Sequence, residues 1–278
     1  MVPVRWAAKL AAVAGITLAP GVRAMTCGKP HAFEVFPGPL VRAPTNTHLW
    51  VTVEYEAWRT LGGCTPDGPC SAPALSFELR SAPVVGKAID RVTVSAQRGK
   101  FEERDVYELV PQKSLRPGSR YEIHALGPEA ELFAGTFRVG AGPDSDPPTW
   151  TGPVSGYRPE RPKRAPGIVT LDPYLEGPPV FVNAQPAKDA GPVRYEVWRA
   201  QKDGAFDFRA PASGFARMQE AKYYAKPELA PLLGFGYFEC DGWSFDSRDE
   251  GPMKLAIVAV DLAGHRSAPR VIDVAARK

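Results

Sequence analysis

The chain has no apolar run of the roughly 20 residues that a helix needs to cross a bilayer. Its longest, LAAVAGITLA from Leu10 to Ala19, is ten residues and lies near the start. Nor is there a surplus of either charge once the first 24 residues are set aside. Those residues hold Arg5, Lys9 and Arg23 and no acid, so 31 of the 34 basic residues remain against 31 acidic ones. A nucleic-acid partner would need a basic face, so none is expected. The one basic run, RPERPKRAPG from Arg158 to Gly167, reads as a solvated, proline-rich stretch.

Signatures of chemistry are equally scarce. The sequence contains no G-x-S-x-G elbow, no H-E-x-x-H, no phosphate-cradling glycine loop and no dinucleotide fingerprint. Its four histidines, His31, His48, His124 and His265, stand apart from one another, and no C-x-x-C offers a zinc site. Asp144 and Asp146 form one D-x-D, short of the roughly 6 to 8 oxygens that calcium takes, and turn formation before Pro147 accounts for them. No catalytic residue, metal or cofactor is expected. The remaining enzymatic option is a hydrolase whose site is assembled from distant residues.

What is present begins with a tripartite leader. Arg5 and Lys9 precede the apolar run, and Val22, Arg23 and Ala24 supply a small-residue cleavage pattern. Residues 1–24 are therefore expected to be a secretory signal peptide and the protein to be exported, to the periplasm, the outer surface or the medium. The tetrad AMTC, Ala24 to Cys27, lacks the apolar residue usual before a lipidated cysteine, which argues against a lipid anchor.

Thirty prolines and 26 glycines in a chain that is 44% hydrophobic describe many short elements joined by turns. Over residues 31–140 the apolar period is two. HLWVTVEYEAW puts Leu49, Val51, Val53 and Tyr55 on one face, and LSFELR does the same with Leu75, Phe77 and Leu79. With FEVF, RVTVSA, VYELV, YEIHAL and ELFAGTFRV these make about seven half-buried strands, a number and spacing that fit a β-sandwich.

Between the fifth and sixth of these strands lies SLRPGSRYEI. It resembles the tyrosine corner of immunoglobulin-like sandwiches. The resemblance implies that Leu115 plugs the core, Pro117 and Gly118 turn the chain, and the Tyr121 hydroxyl bonds a main-chain group upstream. An acid–base pair of Tyr121 and His124 is disfavoured because alternation puts them on opposite faces.

Residues 141–166, rich in glycine and proline, read as a linker, and residues 167–276 as a second module. There, KLAIVAVDLAGHRSAPRVIDV resembles the closing hairpin of fibronectin type III domains, with Lys254 to Val260 as a strand, Asp261 to His265 as the turn and Arg270 to Val274 as the last strand. YEVWR, Tyr195 to Arg199, is similar to the third strand of such a domain. The fold class expected is all-β, two tandem immunoglobulin-like (fibronectin type III-like) β-sandwiches after a signal peptide.

From Ala205 to Gly251 the period loosens, and ARMQEAKYYA suggests a short helix. Tyr223, Tyr224, Tyr237, Trp243 and Phe245 make this segment a candidate stacking or docking surface, with completion of the core as the alternative. Export permits disulfides. Cys64 and Cys70 flank the turn-forming TPDGP and are expected to pair; Cys27 and Cys240 remain, and a bridge between them would tie the N-terminus to the second module. The function expected is a non-catalytic binding or interaction module of the cell envelope, contacting a protein or glycan, with a structural spacer or scaffold as the alternative.

Overall fold

The computed structural model describes residues 33–53, 57, 60–63, 73–83, 88–101, 104–158, 180–210, 212–216, 218–219, 232–235 and 251–276. Among them the protein is almost wholly β, the exception being one helical turn in which the Leu61 N–H donates to the Ala57 carbonyl. The leader, Cys27, Cys64, Cys70, Cys240 and the aromatic residues Tyr223, Tyr224, Tyr237, Trp243 and Phe245 all lie outside the described residues.

Eight strands form the first sandwich: β1 Phe33–Phe36, β2 Arg42–Ala43, β3 Leu49–Val53, β4 Ser76–Ser81, β5 Arg91–Phe101, β6 Arg104–Pro111, β7 Arg120–Leu126 and β8 Glu131–Val139. Their order is β1-β3-β6-β5-β4-β7-β8-β2. The sheet folds on itself at β5, whose first three residues pair with β4 and whose remainder pairs with β6. Two layers result, β1-β3-β6-β5 against β5-β4-β7-β8-β2, the division of strands between sheets used by immunoglobulin-like sandwiches. Alternation sets the layers: on β7, Tyr121, Ile123 and Ala125 are buried while Arg120, Glu122 and His124 are not. Tyr121 stacks on Phe137 of β8 with ring centroids 5.9 Å apart.

The second sandwich repeats this scheme. β9 Val154–Tyr157, β10 Val180–Ala184, β11 Arg194–Arg199, β12 Gly214–Ala216, β13 Met218–Gln219, β14 Leu232–Phe235, β15 Met253–Val260 and β16 Arg270–Val274 form two sheets. Their orders are β13-β14-β10-β9 and β12-β11-β15-β16. The core between them takes alternate residues of each strand, Tyr195 and Val197 from β11 and Leu255, Ile257 and Ala259 from β15.

Within the stretch read as a linker, 141–166, Thr149 pairs with Lys188, Trp150 is buried with its indole N–H on the Gln185 carbonyl, and β9 pairs with β10. The signal was missed because β9 carries Gly156, where any Cβ would sit 2.8 Å from Ile272 and Val274; a missing side chain leaves no periodicity to read. Of ARMQEAKYYA, where a short helix is expected, Ala216 lies in β12 and Met218–Gln219 pair with β14, while residues 217 and 220–225 lie outside the described residues. Strand β3, expected to be half-buried, is buried at all five positions, because a second surface covers its outer face.

Candidate functional site

That second surface is the other sandwich. On β11 the residues that alternate with the core set, Arg194, Glu196 and Trp198, point away from it, yet all three are buried. Trp198, with Val258, Val260 and Leu262, joins the cluster that forms the first sandwich's core. The two sandwiches therefore meet through the outer face of the β11–β15 sheet and the outer face of β3 and β6.

The loop after β15, DLAGH, clasps this junction. Asp261 is fully buried, and one of its carboxylate oxygens accepts the N–H groups of Ala263 and His265, each at 2.8 Å. Its other oxygen lies 2.9 Å from His265 Nδ1. So fixed, the loop offers the Leu262 carbonyl to the His48 N–H at 2.6 Å and to the Thr47 hydroxyl at 3.2 Å. Gly264 has φ +86°, and a Cβ there would sit 2.5 Å from His48 Cε1, so both conformation and space require glycine.

Beside the clasp lies a charged cluster. The Arg194 guanidinium stands 3.5 Å over the Trp50 ring, hydrogen-bonds Glu196, and has Glu108 at 4.0 Å. Arg266 reaches Glu196 at 3.0 Å, and Glu108 holds His48 Nδ1 at 2.8 Å. Burial pulls the Arg194 pKa down to about 10, against the pull of Glu196 and Glu108. Burial alone would raise the Glu108 carboxyl. The His48 hydrogen bond and the charges of Arg194, His48 and Arg266 together outweigh it and hold the carboxyl below its ordinary value. Among the described residues the Trp50 indole N–H has no hydrogen-bond partner; packing and the cation above it hold the ring.

Asp144 approaches the clasp from the stretch between the sandwiches, tied to Asn46 by a reciprocal pair of bonds at 2.8 and 2.9 Å. Asp144, Asp261 and His265 each bring one donor atom within 4.8 Å of the others. Both Asp261 oxygens are already engaged by its own turn, so the trio reads as a satisfied turn next to a carboxylate rather than as a cation cage. Asp189 stands close by; burial and the charges of Asp144 and Asp261 push its carboxyl up.

The other sequence candidates separate clearly. Leu115 is 2% exposed and Gly118 has φ +71°. Tyr121 is fully buried; its hydroxyl accepts the Arg116 N–H at 3.3 Å and donates to Asp90 at 3.0 Å. Burial raises the Tyr121 pKa. His124 stands on the opposite face of β7 in a charge ladder, with Nδ1 2.8 Å from Glu131, which in turn receives Arg80 at 2.6 Å. Sequence alone did not single out Trp50, Glu108, Arg194, Glu196 or Arg266 as a group. The usable signal is a tryptophan that alternates with the apolar core positions on each of two strands, Trp50 beside Leu49 and Val51 on β3 and Trp198 beside Tyr195 and Val197 on β11.

No protein-family model matches the chain, and no curated protein matches it. Among solved structures it is similar to tandem immunoglobulin repeats of Dlar at 14% identity, covering 89% of this chain and all of that one, with a TM-score of 0.26. It is similar also to the FN1-FN3 domains of chicken CNTN1 at 14% identity, covering 87% of this chain and 68% of that one, with a TM-score of 0.22. The fibronectin(III)-like modules of Clostridium thermocellum CbhA match at 11% identity over 88% of this chain and 94% of that one, with a TM-score of 0.23. At such scores the likeness carries no weight for function, and the architecture rests on the strand pairing above.

Proposed function

We propose that the protein is a non-catalytic interaction module of the cell envelope, exported by its leader, whose two sandwiches act as one body and present a surface of fixed geometry. The observation that supports this is the junction. Arg194 and Glu196 are 4% and 2% exposed, and burying an ion pair costs stability that packed apolar residues would not. Its gain is orientation, since a bonded cluster accepts one arrangement where an apolar contact tolerates several. Among the described residues, His48, His124 and His265 are each engaged by a carboxylate, Glu108, Glu131 and Asp261 in turn, which gives each a structural role in the non-catalytic reading.

In this proposal Tyr223, Tyr224, Tyr237, Trp243 and Phe245 supply the contact to a glycan or protein, and Leu115, Pro117, Gly118 and Tyr121 are structural, a tyrosine corner. Cys64 pairs with Cys70, and no cofactor is involved. A second reading, a rigid spacer or scaffold, draws on the same junction, because fixed geometry also serves spacing. Co-sedimentation with peptidoglycan sacculi, cellulose and chitin separates the two. Retention of the wild-type chain on one polymer, lost in a Tyr224→Ala/Trp243→Ala variant of unchanged thermal stability, supports the interaction module. Absence of retention on all three favours the spacer.

A further inference from the structure

Three arginines far apart in the sequence become neighbours on the outer face of the β5-β4-β7-β8-β2 layer. Arg138 of β8 stands directly opposite Arg120 of β7 on one side and Arg42 of β2 on the other. All three are exposed, while Tyr121, Phe137, Val139 and Ala43 beside them are buried, so the three side chains share one face. With strands about 4.8 Å apart, the row is roughly 10 Å long. Like charges directly opposite on a sheet cost stability, so packing does not account for the row. Among the described residues Arg42 and Arg138 have no acidic partner, and Arg120 donates to the Thr136 hydroxyl at 3.3 Å. The carboxylate two residues along β7, Glu122, turns to His124 at 3.4 Å, and Glu78 and Glu131 hold Arg80, each at 2.6 Å.

The rest of the face selects among anions. Glu78, Glu122 and Glu131 lie on it too, so a wide anionic surface such as a bilayer or a duplex would meet acids and arginines together. A narrow chain laid across the strands meets the arginines alone. A peptide added as a strand would run along β2 and reach only Arg42. Guanidiniums grip carboxylate and sulfate groups through paired N–H bonds, and the row holds no aromatic ring on which bases would stack. We propose that Arg42, Arg138 and Arg120 form a binding strip for an acidic polysaccharide, with the anionic groups of an extended sugar chain seated on the three guanidiniums. The strip uses none of the residues assigned to the contact above and stands or falls apart from it.

Affinity electrophoresis of the full chain at pH 7 tests this, with polygalacturonate as the carboxylate probe, dextran sulfate as the sulfate probe, and dextran and poly-L-glutamate as controls. At least one acidic polysaccharide should retard the protein and dextran should not. Three contacts predict that affinity falls roughly 20-fold between 50 and 200 mM salt, at the coefficient of single-stranded polyanions. Arg138→Gln, at the centre of the row, should weaken binding about tenfold without lowering Tm, since it also relieves the like-charge row. Arg91→Gln, which alters a side chain 65% exposed and paired with Glu78 on the same sheet, should bind as wild type does. The proposal is overturned if neither acidic polysaccharide retards the protein, or if Arg138→Gln loses no more affinity than Arg91→Gln. Retardation by poly-L-glutamate as strong as by either polysaccharide equally overturns it.

Discussion

Replacing Arg194 by methionine should destabilise the protein by about 3 kcal/mol. Removing one partner of a buried ion pair costs roughly 3 to 5 kcal/mol, because the other is left buried without its counter-ion. Here both orphaned carboxylates keep a second partner, Glu196 through Arg266 at 3.0 Å and Glu108 through His48 at 2.8 Å, which places the cost at the low end. The cation on Trp50 is lost as well, but a thioether packs well on an aromatic face, so no full further increment is added. At roughly 2 to 4 °C per kcal/mol for a chain of this size, calorimetry should show a fall of about 6 to 12 °C in Tm. A control isolates the cause. In Arg194→Met/Glu196→Leu the whole pair is replaced by apolar groups while half-exposed Arg266 returns to water, so the double variant should recover to within about 1 kcal/mol of wild type. A single variant that loses less than about 1 kcal/mol, or a double variant no better than the single, would show that the buried pair does not hold its members in place.

Further outcomes follow from the same geometry. Tyr121→Phe keeps the stacking on Phe137 but removes the donor to Asp90 and the acceptor for the Arg116 N–H, and should cost about 1 to 3 kcal/mol by urea titration. Gly264→Ala places a methyl 2.5 Å from His48 Cε1 at φ +86°, so it should cost at least about 1 to 3 kcal/mol and speed amide exchange at His48. Burial would raise the Asp90 carboxyl, yet Lys113, Tyr121 and Arg116 together hold it below its ordinary value of 3.8. Its contribution is therefore complete above that value and lost as pH falls through the lower folded one, and Asp90→Asn should flatten this limb of a stability–pH curve measured by urea titration.

The strands were legible in the sequence wherever one face is core and the other is water. On β7 and β16 that condition holds: Tyr121 and Ile123 are buried at alternate positions of the one, and Ile272 and Val274 of the other. It fails on β3 and β11. There the second face is covered by the other sandwich, and Arg194 and Glu196 look in sequence like a solvated edge because only a surface more than 80 residues away buries them. The start of the second sandwich was hidden for a related reason. Turn-rich residues around Trp150 suggest a linker, and whether that tryptophan is anchored depends on the Gln185 carbonyl, which no local pattern announces. The candidate site therefore comes from tertiary placement, with the tryptophans on β3 and β11 as its only trace in the sequence.

The DLAGH clasp locks the two sandwiches together through the Leu262 carbonyl. Hydrogen exchange at the His48 amide tests it most directly, since in the closed protein that N–H donates to the Leu262 carbonyl at 2.6 Å across the junction. At pH 7 the amide should exchange as slowly as those of the adjoining β3 strand, through an opening that Gly264→Ala makes easier. Exchange at the rate of an exposed loop, unaffected by that substitution, would contradict it.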